Sequence, residues 1–198
     1  LREGIKQVDA VLFTHSHADH IMGLDDCRRF CAINNHQPLP IYADSKTMTD
    51  LERVYSYAFK SKYTPGYFKP NPYIIDGEFI IGDLKITPFE QEHGNMGSLG
   101  FLFKQGNKKQ LAYYNDCKKV SLSAINAAEG VELAILDALR PTEHYSHMNL
   151  DEALTTACKI GAKETLLTHL TDFYDHDRDS NNLPNKVLFA YDGLRRNI

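Results

Sequence analysis

The pattern of apolar positions along the chain predicts an α/β protein. Residues 8–14 form a short apolar run of strand length, and apolar positions at helical spacing follow over residues 20–33. Short strand-like segments fill residues 73–115, and helix-like and strand-like segments alternate after them. Hairpins combined with β–α alternation predict sheets covered by helices, and a length of 198 residues fits one domain.

Local signals predict where two of the helices begin. Ser45 is predicted to cap a helix whose apolar positions share one face. A second helix is predicted over Leu150–Ile160, because Asn149 and Glu152 have the spacing of a capping box.

Turn chemistry predicts the connections between strands. Asp76-Gly77 and Gln105-Gly106-Asn107 are predicted to be hairpin turns. The segment between Lys60 and Tyr73 is rich in aromatic residues, Pro and Gly, which argues against a regular element. We interpret residues 61–73 either as a lid over a pocket or as a surface loop whose rings pack on the core.

Four side chains of metal-ligand type lie close together in Thr14–His20, with the sequence THSHADH. This segment starts where the first predicted strand ends. Residues two apart in an extended chain point to the same side, so we expect His15 and His17 to face one ligand. Three further candidates each follow a predicted strand: His93, Asp116 and His169. Strand ends of layered α/β proteins are typical places for binding sites.

The composition excludes several classes of protein. Charged residues make up 24% and hydrophobic residues 42%, as in a globular rather than a disordered chain. The net charge of −4, without a basic run, argues against a large nucleic-acid footprint. No apolar run reaches membrane-spanning length, which argues against a membrane partner. The four cysteines lack C-x-x-C spacing, which favours a reducing, cytoplasmic location.

The ligand pattern resembles that of the metallo-β-lactamase superfamily. Its members share His-x-His-x-Asp-His on a strand-to-helix loop, a later lone His, a later Asp and a final strand-end His. The phrases HADHIMGLDDCRRF, LDALRPTEHYSHMNLDEAL, LLTHL and AYDGL are similar to the phosphoribosyl 1,2-cyclic phosphodiesterase branch, whose members hydrolyse small cyclic phosphodiesters. The resemblance runs from Val8 to Leu194 and implies an αββα sandwich.

The resemblance also implies a dinuclear metal centre. It assigns three imidazoles to one ion: His15, His17 and His93. It assigns a carboxylate and two imidazoles to the other: Asp19, His20 and His169. Asp116 would bridge the two ions. Such ligands suit Zn or Mn, and also Fe or Ni. The alternative, a closed structural site, usually has four ligands and often uses Cys.

This chain departs from the superfamily at its beginning. Relatives start with several N-terminal strands, whereas this sequence opens at Leu1 directly before the first ligands. We therefore expect an N-terminally incomplete hydrolase domain over residues 1–198. A sheet edge left exposed would favour a homodimer.

The expected reaction is hydrolysis of a small cyclic or nucleotide-like phosphodiester by a metal-bridging hydroxide. Asp19 is expected to orient the hydroxide, and His147, which the resemblance places on the substrate side, to protonate the leaving oxygen. His144 is a second candidate for that role. Asp137 either supports a ligand imidazole or caps the loop after its strand, and Arg140 either meets a phosphate or makes a structural pair.

Three other functions stay open. A thioesterase or lactonase could use the same ligands. RNA processing is a second alternative, against which the acidic balance counts. A non-catalytic metal-binding module is the third, against which the presence of all seven ligands counts.

Overall fold

The computed structural model describes residues 3–60 and 66–198, which group into two compact units, one before and one after the Asp76–Gly77 bond. The mixture of helices and sheets in each unit confirms the α/β class. Within the described parts of the chain, no helix has the length and apolarity to cross a bilayer.

The first unit is built on a three-stranded parallel sheet in the order β1-β2-β3, with strands at Val11–Leu12, Leu39–Ala43 and Pro70–Ile74. Its helices are α1 (Ala18–Ile21), a 3-10 helix (Leu24–Cys27), α2 (Arg28–Ile33) and α3 (Ser45–Val54). Their apolar faces and the middle strand form a buried core around Ile41, Leu51 and Phe68.

Three sequence predictions for this unit need correction. Residues 20–33 are not one helix, because the chain turns at Gly23 and continues as the 3-10 helix and α2. The cap of α3 is Asp44, whose carboxylate accepts from the Thr47 backbone N–H at 2.6 Å, and Ser45 is the first helical residue. Pro70–Ile74 is a strand, although the aromatic segment was predicted to be irregular. β3 lies at the sheet edge, where prolines are tolerated. Residues 61–65 lie outside the described residues, so the lid hypothesis is not tested.

The second unit is built on a seven-stranded mixed sheet in the order β10-β9-β8-β7-β6-β5-β4. Its strands are β4 (Phe79–Ile81), β5 (Leu84–Gln91), β6 (Ser98–Gln105), β7 (Lys108–Tyr114), β8 (Leu133–Asp137), β9 (Glu164–Thr168) and β10 (Val187–Phe189). Neighbours from β4 to β7 are antiparallel, and those from β7 to β10 are parallel. Its helices are α4 (Leu122–Ala128), α5 (Leu150–Ile160) and α6 (His176–Ser180).

The bounds of α5 confirm the helix predicted from its capping box. The Asn149 side chain accepts from the Glu152 backbone N–H, and the Glu152 carboxylate accepts from the Asn149 N–H, each at 2.9 Å. At the other end Gly161 adopts a left-handed conformation with φ 59°, which terminates the helix. The buried face of α5 packs with α4 in a core that includes Leu136 and Ile160.

The two predicted hairpin turns have different outcomes. Gln105-Gly106-Asn107 does join the antiparallel strands β6 and β7, with Gly106 at φ 57°. Asp76-Gly77 instead leads from β3 of one sheet to β4 of the other, so this hairpin prediction is wrong. The turn between β4 and β5 lies at Gly82, with φ 61°.

Gly100 on β6 lies against side chains from both neighbouring strands, β5 and β7. A Cβ at this position would lie 2.6 Å from Tyr114 Cδ1 and 2.7 Å from Gln91 Nε2. Both neighbours are buried residues near the ends of β7 and β5, so neither can move away freely.

Gly100→Ala is therefore expected to lower the free energy of unfolding by about 1–3 kcal/mol, the usual cost of overpacking. Urea denaturation followed by circular dichroism measures this change. Gly77→Ala is the matched control, because nothing lies within 4 Å of its added Cβ. An equal effect of the two substitutions would contradict the close approach at Gly100.

Candidate metal centre

In the first unit, the histidine-rich segment follows β1 and bends into α1. His15 is buried, and its Nε2 lies 2.8 Å from His17 Nδ1. The rings of His15 and His20 have centroids 4.4 Å apart, and Asp19 has a carboxylate oxygen 3.3 Å from His20 Nε2. The four candidate ligands of this segment thus lie close together, and His15 and His17 are in contact, as their His-x-His spacing predicted. Two imidazole nitrogens this close can coordinate the same ion.

The backbone between the two first histidines is tied to α3. The Ser16 hydroxyl donates to Asp50 Oδ2 at 2.6 Å, and this bond is the largest contribution that lowers the pKa of Asp50. Arg53 also donates to the Asp50 carboxylate, at 3.0 Å. Because Ser16 lies between His15 and His17, the bond restricts how far either imidazole can move.

In the second unit, the candidate residues lie at one edge of the sheet. β5, β7, β8 and β9 all run in the same direction, and a ligand-type side chain ends or follows each of them. These side chains are, in strand order, His93, Asp116, Asp137 and His169. The sequence predicted this placement for three of them, and the parallel strand directions are the reason that they converge.

Two of these strand-end residues have an unusual backbone. Asp116 has φ 52° and His169 has φ 60°, both in the left-handed region. Residues other than glycine rarely adopt it, and they concentrate at functional sites where the fold holds them in place. Asp116 is held by Ser98, whose hydroxyl donates to the Asp116 carbonyl at 2.9 Å.

His93 is oriented by a backbone carbonyl. Its Nδ1 lies 3.0 Å from Ser146 O, and because a carbonyl only accepts, Nδ1 carries the proton. Nε2 is therefore the nitrogen with a lone pair for a metal. The same Nδ1 lies 3.4 Å from Asp116 Oδ1, so the two predicted ligands are in contact. His169 Nε2 lies 3.9 Å from Asp116 Oδ2.

His147 lies between two buried carboxylates. Its Nδ1 is 2.9 Å from both Asp116 Oδ1 and Asp137 Oδ2. Burial lowers the pKa of His147, but the hydrogen bonds to Asp116 and Asp137 outweigh it and raise the pKa to about 9. Asp137 also accepts from the Cys117 backbone N–H at 3.0 Å. Asp137 was expected to support a ligand imidazole, whereas it contacts His147, the residue predicted to transfer a proton.

In the metal-stripped protein, the raised pKa of His147 should make stability fall with rising pH. The folded-state pKa of about 9 lies above the ordinary imidazole pKa of 6.5. The stabilisation is therefore complete below about pH 6.5 and is lost as the pH rises through about 9. Urea denaturation of the wild type and His147→Gln, both metal-stripped, should give a larger difference at pH 6 than at pH 10. A difference that does not change with pH would contradict the carboxylate contacts.

The donor atoms of the second unit fit a divalent metal ion. Ligand-type atoms of four side chains lie within 4.8 Å of one another: Asp116, Asp137, His147 and His169. Asp137 Oδ1 is buried and makes no hydrogen bond within the described chain. A buried carboxylate oxygen without a partner is costly, and a cation would relieve that cost. Sequence reasoning gave no ligand role to Asp137 or His147, and only their spatial proximity indicates one.

The two remaining candidates lie close to His147 in the sequence. Arg140 donates to two backbone carbonyls of its own loop, Thr142 O at 3.3 Å and Glu143 O at 2.6 Å. Of the two roles predicted for Arg140, these contacts support the structural one. His144 lies beside His147, with ring centroids 4.9 Å apart.

Comparisons with known proteins give one family and several relatives. Residues 1–170 match the family described as the beta-lactamase superfamily domain. A solved diphosphatase of the PhnP family has a TM-score of 0.87 and 31% identity, covering all of this chain and 74% of that one. An octanoyltransferase from Porphyromonas gingivalis is 32% identical over 96% of this chain. A ribonuclease Z from Thermococcus onnurineus is 29% identical over 52% of this chain. The chain spans only 38% and 32% of the lengths of these two curated relatives.

Proposed function

The chain belongs to the beta-lactamase superfamily, and on this premise we propose that it is a metal-dependent hydrolase of small phosphodiesters. The metallo-β-lactamase fold predicted from the sequence is confirmed by the family match and by the likeness to the diphosphatase structure. Membership of the family does not by itself specify a substrate, because its members have different substrates. The phosphodiester is therefore the part that we propose.

The observation that carries the proposal is His147 between Asp116 and Asp137. Both contacts use Nδ1, and because carboxylate oxygens only accept, Nδ1 keeps its proton and Nε2 is the nitrogen that gains and loses one. This is the arrangement of an imidazole that transfers protons to a substrate. Likeness to a protein named a diphosphatase supports a phosphorus centre rather than a carbonyl as the site of attack.

We propose as metal ligands the seven residues that the sequence resemblance assigns: His15, His17, Asp19, His20, His93, Asp116 and His169. Two ions of Zn or Mn would be held. The contacts within each unit support this set, because the histidines near His15 lie together and those near Asp116 lie together. Bound ions would supply positive charge to phosphate oxygens and lower the pKa of a water molecule.

Residues of this chain would then have separate roles in an in-line displacement at phosphorus. Asp19 would orient the attacking water. The water gives up one proton to the solvent as its oxygen adds to phosphorus. The bond between phosphorus and the leaving oxygen breaks, and His147 donates the Nε2 proton to that oxygen and regains a proton from the solvent. Asp137 and Asp116 hold the imidazole ring in position and stabilise its protonated form.

An acyl ester or thioester is the second candidate substrate. The observation that favours it is the 32% identity to a protein named octanoyltransferase. This chain spans only 38% of the octanoyltransferase. The name therefore refers to a longer protein, most of which has no counterpart in this chain.

The test compares two p-nitrophenol esters with the full chain, metal-stripped and then resupplied with Mn²⁺. We expect metal-dependent hydrolysis of bis(p-nitrophenyl) phosphate, and much slower release from p-nitrophenyl octanoate. Faster release from the octanoate would favour the acyl candidate. Two bound ions without turnover of the phosphodiester would overturn the proposal.

A further inference from the structure

The loop of residues 138–149, between β8 and α5, carries His147 and is fixed along its length. Leu139 N donates to Met148 O at 3.0 Å, and Met148 N donates to Cys117 O at 2.8 Å, which closes the base of the loop. The Arg140 guanidinium holds the middle through the carbonyls of residues 142 and 143. Side chains at the tip therefore have defined positions, although they lie outside any helix or strand.

Tyr145 at the tip of this loop is 81% exposed. Its ring lies against the ring of His144, with centroids 4.8 Å apart and planes inclined by 35°. Its Cε2 lies 3.4 Å from where a Cβ on Gly94 would be, so the ring rests above the backbone that follows His93. Because 81% of Tyr145 is exposed, the ring gains little burial free energy and is accessible to a ligand.

His144 joins Tyr145 to the proton-transfer residue. Its Nδ1 lies 3.3 Å from the Ser146 backbone nitrogen, which donates, so the proton of the neutral ring is on Nε2. The His144 and His147 rings are 4.9 Å apart. The His144 ring, an N–H donor, thus lies between the exposed ring of Tyr145 and His147, and it contacts both.

We infer that Tyr145 is a specificity residue that stacks on a nucleobase of the substrate, while His144 donates to a polar atom of the same group. The inference rests on the proposed function and narrows its substrate class to phosphodiesters that carry a nucleobase. Aromatic side chains bind bases through their flat faces, whichever base is present. The observed neighbours of the Tyr145 ring are the His144 imidazole and the backbone at Gly94, neither of which offers an aliphatic side chain to an acyl group.

The test uses two esters with the same leaving group: thymidine 5′-(p-nitrophenyl phosphate) and methyl p-nitrophenyl phosphate. We expect the full chain with Mn²⁺ to have a lower KM for the thymidine ester. Tyr145→Ala should raise that KM by roughly tenfold, the effect of losing one stacked base, and leave the KM of the methyl ester unchanged. Tyr145→Phe should retain the low KM, because it keeps the ring.

Tyr191→Ala is the matched control, because Tyr191 is also exposed but its ring contact is with His176. A similar KM change with this control would overturn the inference, as would equal changes for both esters or a loss with Tyr145→Phe. Calorimetry with thymidine 5′-monophosphate should show the same weakening in Tyr145→Ala. If neither ester is hydrolysed by the unaltered chain, the proposed function itself fails, and this inference fails with it.

Discussion

Asp116→Asn is expected to remove bound metal and to reduce turnover of bis(p-nitrophenyl) phosphate by about a thousandfold or more, since metal charge contributes several kcal/mol to such transition states. Asp116 contacts His93, His147 and His169, and it is nearly fully buried. The amide is almost isosteric and tolerates the left-handed backbone at this position, so the fold should persist. What the substitution removes is the negative charge.

Metal content by atomic emission and the rate with saturating Mn²⁺ are the two measurements. Asp151→Asn is the matched control, because Asp151 is an exposed carboxylate in the first turn of α5. It should change neither quantity. If Asp116→Asn keeps two ions and full activity, Asp116 is not a ligand and the bridging role is wrong.

His147→Gln is expected to lower kcat by about a hundred- to ten-thousandfold, the range for loss of a positioned proton donor. The metal content should not change, because the proposed ligand set does not include His147. The amide of Gln can still donate to the carboxylate of Asp137, so Asp116 and Asp137 keep a partner on the side where the imidazole was.

The competing possibility is that His147 is itself a ligand, since it lies within the group of donor atoms that includes Asp137. In that case His147→Gln would lose metal together with activity. His176→Gln should leave both unchanged, because His176 is an exposed histidine on α6. A lower rate with unchanged metal content would support proton transfer by His147, and loss of both would support a ligand role.

Local sequence patterns predicted the elements whose ends depend on neighbouring residues. The helix Leu150–Ile160 was predicted with its observed bounds, because a capping box satisfies backbone groups within the same turn. The strand that ends before His169 and the turn at Gly106 were found in the same way. Their determinants lie within a few residues of each other.

Predictions failed where distant parts of the chain decide the outcome. Asp76-Gly77 has hairpin residues, but its flanking strands pair with partners in different sheets. Pro70–Ile74 has a composition typical of loops, yet pairing with β2 makes it a strand. Nothing in either segment indicates which strand it will meet.

For the candidate site, the sequence by itself determined which residue types are present and that His93, Asp116 and His169 follow strands. Ligand chemistry is a property of the side chain, and its position at a strand end follows from local periodicity. Only the tertiary structure decided that Asp137 and Asp116 flank His147, and that Tyr145 rests on the backbone beside His93. These contacts join residues far apart in sequence, and they exist because strand order and direction bring four strand ends to one edge of the sheet.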